Sequence, residues 1–360
     1  MKKNFTALLL STVMIALLFG GCTQPTQNAN PSNAPQQSSE SAQNNEPTQS
    51  EEQTSSPENE QPNAETQPQS TKPIVYMTTD ISPEGLVAIY EALGREATGN
   101  VAVKVHTGEP GGKNFLRPEF MAPLVQSVNG TFVESNVAYG GQRAATAMHY
   151  QVAKDHGFND VAPVVILDEE SSMALPMIDG AHFAENLVGA RLADFDFLMS
   201  IAHFKGHAIG GYGGTLKNMS IGIASRQGKN RIHTAGNNDN QWMGGDQDEF
   251  LESMAEATLS VVNHFGSENV LYINVMNRMS VDCDCSGAMA AEPEVHDIGI
   301  LASFDPVALD QACIDLIYAV EDSSAASLIQ RIESRNGIHV IEHGAEIGLG
   351  SRAYELVSID

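Results

Sequence analysis

The stretch IVYMTTDISPEGLVAIYEALGREATGNVAVKVH, residues 74–106, decides the architecture. Ile74 to Thr79 are apolar or β-branched and close on Asp80, the composition of a buried strand. Ser82 then stands before Pro83, an N-cap followed by proline at the first helical position. Leu86, Val87, Ile89, Tyr90 and Leu93 recur at helical spacing, and Val101 to His106 returns to a strand. One strand, one helix and a second strand within 33 residues is the unit from which layered α/β domains are built.

The alternation continues toward the carboxyl terminus. Pro118 to Val128 predicts a helix, Thr131 to Ala138 a strand, Gly140 to His156 a helix and Pro163 to Glu169 a strand. After a less regular stretch from His182, Phe195 to Ala202 predicts a strand. Asp246 to Phe265 carries an apolar stripe at helical spacing, and strands follow at Asn269–Ser280 and Ile298–Ser303. Asp305 and Pro306 repeat the cap-plus-proline signal for a helix reaching about Val320. Two short helices and a closing strand, YELVSI, complete the chain. The fold class is therefore α/β: a layered, largely parallel or mixed sheet flanked by helices, with length enough for two subdomains. In such sheets ligands sit outside the carboxyl ends of the strands, where Asp80, His106-Thr107-Gly108 and Asn136 fall.

The strand ending near Ala202 runs into HFKGHAIGGYGGTLKNMSIGIASRQGKNRIHTAGNNDNQWMGG, residues 203–245. Ten of the chain's 31 glycines lie in these 43 residues. So many glycines bury little side chain and lose much backbone entropy, which chains accept where backbone must approach a ligand. The stretch reads as a long loop that walls a site. If extension persists, His203, Lys205 and His207 share one face; in a helix His203 and His207 would pair at i, i+4. Gly206, Gly210 and Gly211 favour extension. Lys217-Asn218 sits deepest in the tract, and a lysine desolvated there can act as base or covalent anchor. Lys217, His203 and His207 are the catalytic candidates. Gly211, Gly213, Gly214, Asn218 and Lys229 are the ligand-binding ones.

A second cluster, Asp282-Cys283-Asp284-Cys285, follows the next strand. One intervening residue strains a disulfide but lets two thiolates share a metal, and the aspartates suit the orientation of histidines. His233, Cys283 and Cys285 are the metal-ligating candidates, and the choice between a metal site and a pair of buried or oxidised thiols stays open. Of Asp310, Cys313 and Asp315 on the helix after Pro306, Asp310 alone is promoted as a functional candidate. Nucleotide motifs are absent: Lys217 follows Leu216 rather than glycine, and Gly228-Lys229 lacks the upstream glycine of a phosphate loop. Gly211-Tyr212-Gly213 has Leu216 where a dinucleotide fingerprint needs its third glycine.

The amino terminus has its own logic. Lys2 and Lys3 precede an apolar run, Leu8 to Phe19, too short to span a membrane comfortably. Gly20-Gly21-Cys22 follows, which resembles the bacterial lipobox and implies a signal peptide over residues 1–22 with lipidation of Cys22. Residues 23–72 are Gln, Asn, Ser, Thr, Pro and Glu, the composition of a disordered tether with a reach of roughly 40 Å. The folded domain is expected over residues 73–360, lipid-anchored at the cell membrane and extracytoplasmic. The net charge of −26 disfavours nucleic acid as a partner. The expected partners are the bilayer, through Cys22, and a small-molecule ligand.

Several of these segments together resemble a bacterial and archaeal family known as domain of unknown function 362. They are His203-x-x-x-His207, GGYGGTLKNMSIGIAS with Lys217 and Asn218, Gly228-Lys229 with Ile232-His233, Cys283-Asp284-Cys285, DIGILASFDPVALDQA and GAEIGLGSRAY. The resemblance implies no settled activity. Many relatives carry ferredoxin-type clusters, but this chain lacks a C-x₂-C-x₂-C run, and three cysteines besides Cys22 do not supply the four ligands of a [4Fe–4S] cluster. A transition metal remains an open cofactor; an iron–sulfur cluster is not expected. The functional reading is a metal- or cofactor-assisted enzyme, with redox chemistry open to it. The alternative is a non-catalytic lipoprotein that binds a metal or a small anionic ligand.

Overall fold

The computed structural model describes Lys72–Asp360 apart from Asp179. The expected signal peptide, the expected lipidation site at Cys22 and the expected tether, apart from Lys72, lie outside the described residues. No described helix is long and apolar enough to cross a membrane.

The described residues form twelve strands: β1 (Ile74–Thr78), β2 (Val101–Lys104), β3 (Thr131–Glu134), β4 (Val164–Ile166), β5 (Ser172–Pro176), β6 (Glu185–Gly189), β7 (Phe197–His203), β8 (Lys205–His207), β9 (Gly211–Gly213), β10 (Val270–Met276), β11 (Gly299–Ser303) and β12 (Glu355–Ser358). The helices are α1 (Pro83–Ala92), α2 (Pro118–Ser127), α3 (Thr146–Asp155), α4 (Phe158–Val161), α5 (Thr215–Met219), α6 (Arg226–His233), α7 (Gln247–Phe265), α8 (Pro306–Tyr318), α9 (Ala326–Ser334) and α10 (His339–Glu346). The caps read from sequence are present. Ser82 accepts a hydrogen bond from Gly85 N, and Asp305 accepts one from Ala308 N.

Eight strands make one sheet in the order β12-β1-β11-β10-β7-β2-β3-β4. The run from β10 to β4 is parallel throughout, and β1 pairs in parallel with β12. Only β11 runs against its neighbours. The two central strands, β7 and β10, are buried along their whole length, as parallel strands covered on both faces must be. Period-two alternation divides their side chains between two cores. Leu198 and Tyr272 face α5, α7 and α8; Met199 and Ile273 face α1 and α2. Each large aliphatic side chain so buried contributes about 1.5–3 kcal/mol. The described residues all fall within one unit, so the chain does not divide there into two subdomains.

The glycine-rich stretch is not a loop. It folds as the hairpin β8–β9, with Lys205 opposite Gly213 and His207 opposite Gly211, followed by α5 and α6. Its order comes from outside itself. Gly206 N donates to Ser280 O at 2.8 Å, and a Cβ at Gly206 would lie 2.1 Å from the Val281 carbonyl oxygen. No other residue fits there.

Candidate functional site

Because β2, β3, β7 and β10 are parallel neighbours, their carboxyl ends share one edge of the sheet. Lys104, Glu134 and His203 end three of them. Over this edge the hairpin and α5–α6 close a cavity of about 250 Å³. Of the strand-end residues expected at the site, His106 lines the cavity, whereas Thr107, Gly108 and Asn136 stand outside its wall and Asp80 is exposed.

The floor is a network of buried charge. Glu134 Oε1 accepts from Arg143 Nη2 at 2.7 Å and from Thr107 N at 3.0 Å, while Oε2 accepts from Lys104 Nζ at 3.0 Å. Arg143 Nη1 also reaches Glu109 Oε1 at 3.1 Å, and its Nε donates to His149 Nε2 at 3.1 Å. Burial raises the Glu134 pKa, but Lys104 and Arg143 outweigh it and hold the carboxyl well below its ordinary range. Burial lowers Lys104, against the pull of Glu134. It takes His149 down to about 3 with help from Arg143, which leaves a neutral ring to accept the Arg143 bond.

Asp284 anchors the side of the site nearest β7. Its carboxylate meets His203 Nδ1 at 3.0 Å and Lys205 Nζ at 2.9 Å. His203 Nε2 lies 2.7 Å from Asn277 O, so both ring nitrogens are held by oxygen partners. Burial opposes the charge on Asp284, yet His203 and Lys205 bring its pKa well below the ordinary value. This aspartate does orient a histidine, as the spacing suggests, and it answers whether the cysteine cluster meets the glycine-rich stretch. They meet. Cys285 lines the same cavity as His203, Lys205 and Lys217. Cys283 and Cys285 are free thiols. Hydrogen bonding with Cys285, reinforced by Lys217 and Lys205, brings Cys283 down to about 6, and the same coupling pushes Cys285 up.

Asp310 shapes the opposite side. Fully buried on α8, it accepts from Thr215 N at 2.8 Å, Leu216 N at 3.0 Å, Asn274 Nδ2 at 2.8 Å and the Tyr212 hydroxyl at 3.1 Å. Burial nevertheless raises its pKa. These bonds fix the first turn of α5, which carries Lys217 and Asn218. A Cβ at Gly214 would sit 2.5 Å from Asp310 Oδ1, so glycine is required at that turn. Asp310 acts by positioning, one step removed from the cavity. Asn218 bridges the sides: its Nδ2 donates to Lys104 O and Ser200 Oγ, and its Oδ1 accepts from Lys104 Nζ.

Two lysines of the wall have no carboxylate partner. Lys217 forms no ion pair and no side-chain hydrogen bond among the described residues. Lys229, on α6, donates only to Ala224 O, at 2.5 Å, and burial lowers its pKa to about 7. His233 stacks on Phe250 with ring centroids 4.8 Å apart and gives its Nδ1 to Lys229 O at 2.7 Å; burial takes it to about 4. Trp242 and Tyr139, 6.4 Å apart, stand beside it at the cavity wall. That wall holds four lysines and one arginine (Lys104, Arg143, Lys205, Lys217, Lys229) against one carboxylate, Glu134. In a chain of net charge −26 this is a local inversion of sign.

The structure thus gathers Lys217, His203, His207, Gly213, Gly214, Asn218, Lys229, His233 and Cys285 around one cavity. Three expectations change. Gly211 is outside the wall and packs on Gly337, whose Cα would lie 2.9 Å from a Cβ there. His203 is held on both nitrogens and serves as support. The histidine grouped with the two thiols is His207, not His233. Sequence reading missed Lys104, Glu134, Arg143 and Glu109. A lysine and a glutamate closing the otherwise apolar VAVK and TFVE strands were the available signal for the first two.

A family model for a domain of unknown function, 362, matches residues 101–315, more than half of the chain. The chain belongs to this family. No curated protein matches it. Among solved structures it is similar to the lactate racemase apoprotein from Thermoanaerobacterium thermosaccharolyticum, at 13% identity and a TM-score of 0.40. That match covers 69% of this chain and 57% of the other. It is also similar to a protein from Thermotoga maritima, at 12% identity and a TM-score of 0.39, over 73% of this chain and 58% of that one. The chain therefore spans less than two thirds of either structure.

Proposed function

We propose that this protein is a lipid-anchored, extracytoplasmic enzyme that binds a small organic anion in the cavity and moves a proton on it, assisted by a metal ion or cofactor. The excess of cations in the wall carries the reading. Lys217 is half-buried and has no ion pair among the described residues, and a ligand carboxylate or phosphate supplies the partner it lacks. Val137, Ala138, Ile209, Ile221 and Trp242 line the rest of the cavity, which suits a carbon skeleton more than a bare inorganic ion. Lys229 fits the role of base: a pKa of about 7 leaves much of it as free amine at neutral pH.

Trp242 is the only tryptophan and reports on the site directly. Titration of the full chain with small carboxylates and organic phosphates should change its fluorescence saturably, and Lys217→Ala should weaken the response at least about tenfold. No saturable response, or an unchanged one in Lys217→Ala, would reject the anion site. Deuterium exchange into a bound carbon acid, lost in Lys229→Met, distinguishes an enzyme from a receptor. Absence of exchange into every ligand that saturates the site leaves the receptor reading. Location has a separate check: Cys22→Ala should release the protein from the membrane fraction.

A further inference from the structure

The proton-transfer reading leaves unused one donor set that borders the cavity. A ring nitrogen of His207 and the sulfurs of Cys283 and Cys285 all lie within 4.8 Å of one another. Both thiols are unpaired in the structure. Cys283 Sγ accepts the Cys285 N–H at 3.3 Å, a bond that disperses charge on a thiolate. Asp284 sits between the cysteines in sequence but spends its oxygens on His203 and Lys205, so it does not compete as a ligand.

We propose that His207, Cys283 and Cys285 bind one soft divalent ion of the zinc class, with the remaining coordination position open to the cavity. Imidazole nitrogen with two thiolates is a donor set that such ions favour over hard cations, and three protein ligands leave a fourth place in a tetrahedral site. His207 and Cys285 lie in the cavity wall, which puts that place on the ligand's side. Two thiolates cancel the charge of a divalent ion, so it enters beside Lys205 and Lys217 without net repulsion.

Entry has a structural consequence. His207 Nδ1 accepts from Gly210 N at 2.9 Å. A neutral imidazole that ligates through either nitrogen no longer offers Nδ1 as an acceptor. The turn from Ala208 to Gly210 therefore rearranges when the ion binds, and it carries Ile209 of the cavity wall with it. The inference rests on the proposed anion site only for the use of the open position; ion binding itself stands apart.

Cobalt(II) is the probe. Added to the reduced full chain, one equivalent should give near-ultraviolet thiolate-to-cobalt charge-transfer bands, which zinc then displaces. Cys285→Ser, at a half-buried position, should lose the bands and weaken cobalt binding by more than about 100-fold. In the wild type, zinc should also protect both thiols from a thiol-specific reagent, which keeps the test decisive if a variant fails to fold. Absence of the bands, their persistence in Cys285→Ser, or thiols that react equally with and without zinc would each overturn the site. If cobalt fails while the Trp242 titration succeeds, the metal inference falls alone; the opposite result removes the anion site and leaves the ion.

Discussion

The floor and the rim of the cavity bury charge in opposite ways. On the floor Lys104 and Arg143 are matched by Glu134 and Glu109, with hydrogen bonds that use the available oxygens. At the rim Lys217 and Lys229 come from the glycine-rich stretch and meet no carboxylate. The floor is closed within the protein and works as frame. On the proposed reading the rim is completed by the bound anion. A buried cation is costly to keep, so pairing where rigidity is needed and omission where a ligand binds is a division of labour.

The largest effect is expected at the floor. Glu134→Ala leaves Lys104 and Arg143 buried without their shared partner and should cost about 3–5 kcal/mol in urea unfolding. A loss under about 1 kcal/mol would show that the network is not the frame. Asp310→Ala strips four donors of their acceptor and should cost roughly 2–4 kcal/mol, with loss of the Trp242 response because α5 is no longer held. Retained anion binding would separate Asp310 from the site.

At the rim the expected signs differ. The folded pKa of Lys229, about 7, lies below the ordinary lysine value near 10.5, so the folded state binds fewer protons between these limits. Stability contributed through this group is lowest below pH 7 and recovers as pH rises toward 10.5. Lys229→Met should therefore raise the unfolding free energy at pH 6, by a few kcal/mol at most, and the gain should shrink above pH 7. A gain independent of pH would refute the titration. Lys217→Ala should move stability by less than about 0.5 kcal/mol while weakening anion binding tenfold or more. A large loss of stability would place Lys217 in the frame instead.

Much of the frame was legible in the sequence because it obeys local rules. Ser82-Pro83 and Asp305-Pro306 mark helix starts, and the stripe from Phe250 to Phe265 repeats at the helical period. The reversed direction of β11 was not legible, since strand pattern carries no direction. Residues 203–245 named the site but misled on form: low local propensity suggested a loop, whereas contacts from Ser280, Val281 and Asp310 impose a hairpin and two helices. Arg143 gave no signal, because its partners lie at residues 106, 109, 134 and 149 and only the sheet brings them together.

The close fit of Gly206 against Val281 also bears on when the site comes into being during synthesis. Gly206 in the hairpin is made 74 residues before Ser280, the acceptor of its N–H. Until that later segment emerges, Lys205 lacks Asp284 and one side of the hairpin has no backbone partner. Contacts this distant in the chain form slowly, because loop closure precedes their reward. The walls of the cavity thus join late, after β10 has been translated, and the thiol segment is the piece that closes them.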